Sequence, residues 1–183
     1  LSSLISTMIA IIGFVVIRYS KNYLDGEERH KQFITRIALT IASIQLMVIS
    51  GDLVVIYLAW VGTSFGLNSL LKFYPERKKA LLAARKKFVI ARIGDLALLT
   101  AFVLIYRQFG TTNLTEVFAE LKVLTPENIP FELELAGVFM VITACLKSVQ
   151  VPFHGWLLEV METPTPVSAL LHAGLLNAGP FLI

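Results

Sequence analysis

The chain has 183 residues, a net charge of +3 and an apolar share of 56%, with a mean hydropathy of +0.73. No basic face of a folded domain is visible, which excludes a nucleic-acid partner. The single cysteine, Cys145, excludes a disulfide framework, a Cys-ligated zinc site and an iron–sulfur cluster within this chain. No G-x-G-x-x-G motif follows a strand pattern, so we expect no bound dinucleotide and no other cofactor in this chain.

Several windows of about 20 residues are almost free of charge, and this is the length that crosses a bilayer as a helix. The sequence therefore predicts an all-α fold, a polytopic transmembrane helix bundle of about six spans with one discontinuous helix. The lipid bilayer is the first expected partner. Because the chain begins at Leu1 and ends within an apolar run, we expect residues 1–183 to be an internal fragment of one transmembrane domain.

The first three predicted spans are residues 3–17, 33–49 and 53–73. The third is rich in small and hydroxyl-bearing residues, and two interpretations of them are open. Small residues let helices approach closely, whereas hydroxyls can line a polar path or bond to a neighbouring helix. The residues concerned are Gly62, Thr63, Ser64, Gly66, Asn68 and Ser69.

Residues 76–87 form a basic, amphipathic segment that should lie at the membrane interface or lead into the next span. A run of charges is usually a solvated face, so we assign this segment no catalytic role. Basic residues cluster here and between the first two spans, and the positive-inside rule places both loops in the cytoplasm.

The fourth predicted span, residues 88–106, contains Arg92 and Asp95 three residues apart, which puts both on one helix face. The pair is either structural or part of a functional site. Asp95 is also the carboxylate within a span that could compensate a buried lysine. In the polar loop that follows, residues 113–121 predict a short surface helix capped by Asn113 or Thr112.

The fifth predicted span carries a lone lysine, Lys147, near its middle. A lysine at the bilayer centre costs at least ~2.5–3.5 kcal/mol and almost always faces a bundle interior or a water-filled cavity. Pro152 cannot donate to the carbonyl of Ser148, so a helix break is expected just after the lysine. The alternative is a lysine that snorkels toward the interface from a helix end.

The sixth helix is predicted to restart around Pro164, with Thr165 as its cap and Pro166 at its first position. A lone histidine, His172, follows about two turns later. By itself it could be an ordinary histidine satisfied between helices. Together with Lys147 on the other side of the break, it favours a titratable relay.

The segment LKSVQVPFHGWLLEVMETPTPVSALLHA resembles the signature of the antiporter-like subunits of respiratory complex I and of Mrp sodium/proton antiporters. KKFVIARIGDLALL is also similar to subunit L of that family. The resemblance covers essentially the whole chain and implies the family's third to eighth transmembrane helices. It also implies that Lys147 is the family's central lysine, His172 its following histidine, and Arg92 and Asp95 its arginine–aspartate pair.

The chain departs from the complex I pattern at one position, because those members carry Trp-Glu where this chain has Trp60-Val61. FYPERKKALLAARKKF and HAGLLNAG are more similar to the DabB family, the membrane subunits of two-part bacterial inorganic-carbon transporters. That resemblance implies a multi-pass protein of the bacterial inner membrane. It also implies a DabA-like soluble zinc protein, similar to carbonic anhydrase, as partner.

The expected function is proton or cation translocation by alternate protonation of Lys147, gated by Asp95, with His172 passing protons onward through water at the break. The cation gradient would then energise inorganic-carbon uptake. One alternative places the same pathway in complex I or an Mrp-type antiporter. A second is a non-conducting membrane scaffold, and no redox site supports NADH oxidation by this chain.

Overall fold

A computed structural model describes residues 2–74, 76–125, 128–148, 150, 155, 164–171 and 179, except for the side chain of residue 79. Within these residues the regular secondary structure is helical, and an isolated bridge joins Asp52 to Asn113. The all-α prediction is confirmed. The helices are α1 (Ser2–Tyr23), α2 (His30–Ile49), α3 (Leu53–Leu71), α4 (Lys78–Phe109), α5 (Leu114–Leu121), α6 (Phe131–Lys147) and α7 (Thr165–Leu170).

Four helices, α1 to α4, are long and apolar enough to cross a membrane among the described residues. They correspond to the first four predicted spans. The described part of the fifth span is α6, with 17 residues, and that of the sixth is α7, with six. The basic segment does not form a separate surface element: it supplies the first ten residues of the 32-residue α4.

Local sequence signals explain where several helices begin and end. The Asp52 carboxylate caps α3, accepting from the backbone N–H groups of Val54 at 2.8 Å and Val55 at 3.1 Å. Gly110 ends α4 with a left-handed φ of 68°, a conformation that favours glycine. Asn113 caps α5 by accepting from the Thr115 N–H at 2.9 Å, as the sequence predicted.

The helices pack in two groups that share α3 and α4. One apolar cluster joins α1, α2, α3, the first part of α4 and α7 around Phe33, Ile37 and Leu70. The other joins α3 to α4, α5 and α6 around Trp60 and Leu98. This arrangement places the lysine at the end of α6 beside the middle of α3 and α4.

Two glycines allow close contact between neighbouring helices. A Cβ on Gly66 of α3 would lie 2.3 Å from Thr40 Oγ1 of α2, so only glycine fits there. On the other side, the Thr143 hydroxyl of α6 donates to the carbonyl of Gly94 in α4 at 3.2 Å. Small residues at these crossings bring the helix backbones together.

Candidate functional site

Lys147 is the last residue of α6, and its amine points into the helix bundle toward α3. Nζ donates to Thr63 Oγ1 at 3.0 Å and to Ser64 Oγ at 3.1 Å. It also lies 4.3 Å from the ring centroid of Trp60, within the range of a cation–π interaction. Helix α6 ends at Lys147, so the prediction that the helix carries this lysine near its middle is wrong.

The hydroxyls on α3 hold the amine in a defined geometry. Thr63 donates its own hydrogen to the backbone carbonyl of Trp60 at 2.7 Å, which leaves its oxygen free to accept from Lys147. Thr63 and Ser64 are both 1% exposed, so bulk water does not compete with them for the hydrogen bonds of the amine. Of the two interpretations of the α3 residues, polar lining describes these two and close packing describes Gly66.

Arg92 and Asp95 form the expected ion pair along α4, with 2.5 Å between Nη2 and Oδ2. Asp95 is 4% exposed. The guanidinium of Arg92 packs against two aromatic rings, with centroid distances of 4.5 Å to Phe65 and 4.9 Å to Phe88. These contacts fix Arg92, and the arginine in turn holds one oxygen of the carboxylate.

A cavity separates the carboxylate from the lysine. We call it the central cavity; Trp60, Lys87, Asp95, Thr143 and Lys147 contribute to its lining, and its volume is about 30 Å³. That is room for one or two water molecules with polar partners on the walls. Lys147 makes no ion pair with any carboxylate of the described residues, but it shares the lining of this cavity with Asp95.

Lys87 is the residue that sequence reasoning missed. The basic segment was predicted to be a solvated face, but Lys87 is 6% exposed and donates to the backbone carbonyl of Ser64 at 3.1 Å. The prediction failed because it judged the run by its overall charge. The signal was present in the spacing: Ala80, Ala83, Ala84 and Lys87 lie on one helix face, and all four are buried.

The remaining predicted site residues lie on and around the connection to α7. Pro152 and His172 fall outside the described residues. Helix α7 begins at Thr165, with Pro164 at the cap position and Pro166 inside the first turn, one residue earlier than predicted. In the described part of the chain, no group of three His, Cys, Asp or Glu side chains could hold a metal ion.

Comparison with known proteins gives consistent matches along the chain. The family described as NADH:quinone oxidoreductase/Mrp antiporter, TM, matches residues 50–183. The chain is 40% identical over 183 residues to "Probable inorganic carbon transporter subunit DabB2" of Halothiobacillus neapolitanus, covering 100% of this chain and 33% of that protein. It is 37% identical over 189 residues to "NADH-quinone oxidoreductase subunit L" of Buchnera aphidicola, covering 100% of this chain and 30% of that protein.

A solved structure gives the same result for the fold. The Mrp complex from Dietzia sp. contains a chain that matches with a TM-score of 0.88 and 31% identity, covering 99% of this chain and 20% of that one. The chain thus spans about a third of the length of the first two curated relatives it matches, 33% and 34%. These relatives are themselves named as subunits.

Proposed function

The chain belongs to the NADH:quinone oxidoreductase/Mrp antiporter transmembrane family, and from that membership we propose that the full-length protein is a proton- or cation-translocating membrane subunit. One observation carries the proposal. The Lys147 amine is held inside the bundle by Thr63 and Ser64, across a water-sized cavity from the carboxylate of Asp95. A titratable group facing a cavity between helices is the arrangement that proton relays use.

The proposed transfer uses Lys147 as the carrier. In the charged state the ammonium donates to the hydroxyls of Thr63 and Ser64 and is stabilised by the carboxylate of Asp95 across the cavity. Release breaks one N–H bond and passes the proton to water. Arg92 competes for the same carboxylate, so any movement of the Arg92–Asp95 pair changes how strongly Asp95 favours the ammonium. His172, outside the described residues, is the proposed next acceptor.

We further propose that the translocated cation energises inorganic-carbon uptake with a DabA-like soluble zinc partner in the bacterial inner membrane. A relative named as an inorganic carbon transporter subunit supports this proposal: the match is 40% identical and covers 100% of this chain and 33% of that protein. The residue after Trp60 supports it as well. Val61 supplies no carboxylate, and the hydroxyls of Thr63 and Ser64 on α3 accept hydrogen bonds from the Lys147 amine instead.

The first test is proton flux by the full-length protein in proteoliposomes, followed with an internal pH-sensitive dye. Lys147→Ala and Asp95→Ala should each lower the flux by ~10²-fold or more, the usual contribution of a positioned acid–base group. Lys122→Ala is the matched control, since this lysine is exposed at the end of α5 and lies outside the cavity. Unchanged flux in both cavity variants would favour a non-conducting scaffold.

Assembly into complex I or an Mrp-type antiporter has its own support, because other relatives are named NADH-quinone oxidoreductase subunit L and the structural match is to an Mrp complex. A growth experiment distinguishes this hypothesis from inorganic-carbon uptake. Co-expression with a DabA-like zinc partner should let a host without carbonic anhydrase grow in air, and an uncoupler or Lys147→Ala should abolish that growth. Restoration of NADH-driven pumping in a strain lacking subunit L, without growth in air, would favour the complex I assembly instead.

A further inference from the structure

Lys87 is a second buried amine that the Lys147 mechanism leaves without a role. It lies on the buried face of α4 one turn after Ala83 and Ala84, and both alanines are fully buried. Burying a lysine costs several kcal/mol after relaxation unless partners compensate it. The described partner is a single neutral acceptor, the carbonyl of Ser64. A residue needed only for packing could be apolar here, as its neighbours on this face are.

The two buried lysines meet at one residue. Ser64 accepts from Lys87 with its backbone carbonyl at 3.1 Å and from Lys147 with its side-chain hydroxyl at 3.1 Å. Both lysines also line the central cavity, together with Asp95. A cavity of about 30 Å³ has room for one or two waters between these side chains.

Lys87 lies nearer than Asp95 to the start of α4. Lys87 precedes Asp95 by eight residues, which is roughly 12 Å at ~1.5 Å per residue. It is thus displaced from Asp95 toward the helix end that carries the basic segment, Lys78 to Lys87.

We propose that Lys87 is a second protonation site, which exchanges protons with Lys147 through the water of the central cavity. This inference rests on the proposed translocation function. In each transfer, one amine loses an N–H bond to water while the other gains one, so a single proton is carried forward. The charged groups that face Lys87 are Lys147 from α6 and, from α4, Arg92 and Asp95. Two ammonium groups at Ser64 repel each other, and the single carboxylate of Asp95 compensates one of them best.

The test compares three substitutions in the full-length protein in proteoliposomes. Lys87→Ala removes the amine, whereas Lys87→Arg keeps the charge but does not release a proton near neutral pH. Both should lower proton flux by at least ~10-fold, toward the lower end of what an acid–base group contributes. Lys86→Ala is the control, because that neighbouring lysine is exposed and lies outside the cavity. Its flux should stay within about twofold of wild type on the same scale.

A third variant tests titration directly. Lys87→His replaces the amine by a group whose unperturbed pKa is ~6.5. It should conduct, with a flux optimum shifted to lower pH than in the wild type. A Lys87→Arg protein that conducts like the wild type would overturn the inference, since the residue would then serve only through its charge. An unshifted pH profile in Lys87→His would do the same.

The same assay separates this inference from the function on which it rests. Wild-type flux that disappears in Lys147→Ala but persists in Lys87→Ala and Lys87→Arg would reject the role of Lys87 alone. Flux that is absent in the wild type, or unaffected by Lys147→Ala, would reject both. Loss of flux at both lysines, with Lys86→Ala active, supports both.

Discussion

The α1–α2 pair and the α3–α4–α6 group use the same polar side chains in different ways. In α1 and α2, most hydroxyls bond back to a carbonyl four residues earlier in their own helix. The bonds that cross between these two helices are neutral, from Ser6 Oγ to Gln45 Oε1 at 2.7 Å and from Gln45 Nε2 to the Ser6 carbonyl at 2.8 Å. The back-bonded residues are Thr7, Ser20, Thr35, Thr40 and Ser43.

In the α3–α4–α6 group, the neutral bond from Thr143 to the Gly94 carbonyl is accompanied by three bonds between helices that carry charge. Thr63 and Ser64 of α3 accept from the amine of α6, and the Ser64 carbonyl accepts from the amine of α4. A hydroxyl satisfied within its own helix lowers the cost of its own burial and does little else. One that also accepts from a cation on another helix compensates a charge. The role of a serine or threonine here is set by the group opposite it.

Removing the hydrogen-bond acceptors of Lys147 should have the largest effect on proton flux. The double variant Thr63→Val, Ser64→Ala leaves the ammonium without its side-chain hydrogen bonds, and an uncompensated buried charge is strongly unfavourable. We expect proton flux in proteoliposomes to fall by ~10²-fold. The matched double variant Thr35→Val, Ser43→Ala removes two back-bonded hydroxyls from α2 and should conduct normally. Equal fluxes in the two double variants would show that the difference between the regions has no functional meaning.

The sequence was sufficient to predict the helices but not all of their limits. Uncharged runs of about 20 residues identify spans, because this is the length of a helix that crosses the bilayer. Lipid offers no hydrogen-bond partners, so the backbone of a span must form its hydrogen bonds within the helix. The charged ends were harder. Lys78 to Lys87 continue α4 as good helix formers, so the helix extends beyond the apolar run that marked the span.

The residues of the candidate site that could be predicted are those whose type is rare in a membrane span. Lys147, Arg92 and Asp95 are charged residues in apolar helices, and the free-energy cost of a charge in a membrane span identifies them as candidates. Lys87 was hidden among neighbouring charges, and only its spacing from buried alanines distinguishes it. Thr63 and Ser64 could not be separated from packing residues, because their partners lie about 84 residues away on another helix.

The second prediction tests the boundary between the two regions, where α2 meets α3. In Gly66→Ala the new Cβ would lie 2.3 Å from Thr40 Oγ1 and 3.1 Å from Thr40 Cβ, and the buried threonine has no room to turn away. We expect a loss of about 1–3 kcal/mol in unfolding free energy, the usual cost of overpacking. Thermal unfolding of the full-length protein in detergent measures it.

Gly137→Ala provides the control, since a Cβ there meets nothing within 4 Å. This substitution lies inside α6 and should be neutral or stabilising by about 0.5–1 kcal/mol, because alanine has the higher helix propensity. A Gly66→Ala protein as stable as Gly137→Ala would mean that α2 and α3 do not approach as closely as the structure places them.

The smallest expected effect concerns the polar end of α3, away from the cavity. The hydrogen bond donated by Thr112, followed by that from the Val55 N–H, lowers the pKa of Asp52 from its ordinary 3.8. A lowered pKa in the folded state means that the carboxylate contributes its full stability above this ordinary pKa and loses it as the pH falls through the folded value. Amide protection at Val54 and Val55 should therefore persist below pH ~4 in the wild type.

Thr112→Val removes the largest cause of that lowered pKa without changing the cap itself. Protection of the two amides should then be lost at a higher pH than in the wild type, as measured by hydrogen exchange at matched pH. Proton flux at neutral pH should not change, because Asp52 is ionised in both proteins and lies outside the central cavity. If both proteins lost protection at the same pH, the Thr112 hydroxyl would not be what stabilises the carboxylate. The connection between the start of α3 and the end of α4 would then depend on the backbone bond from Leu53 N–H to the Thr112 carbonyl.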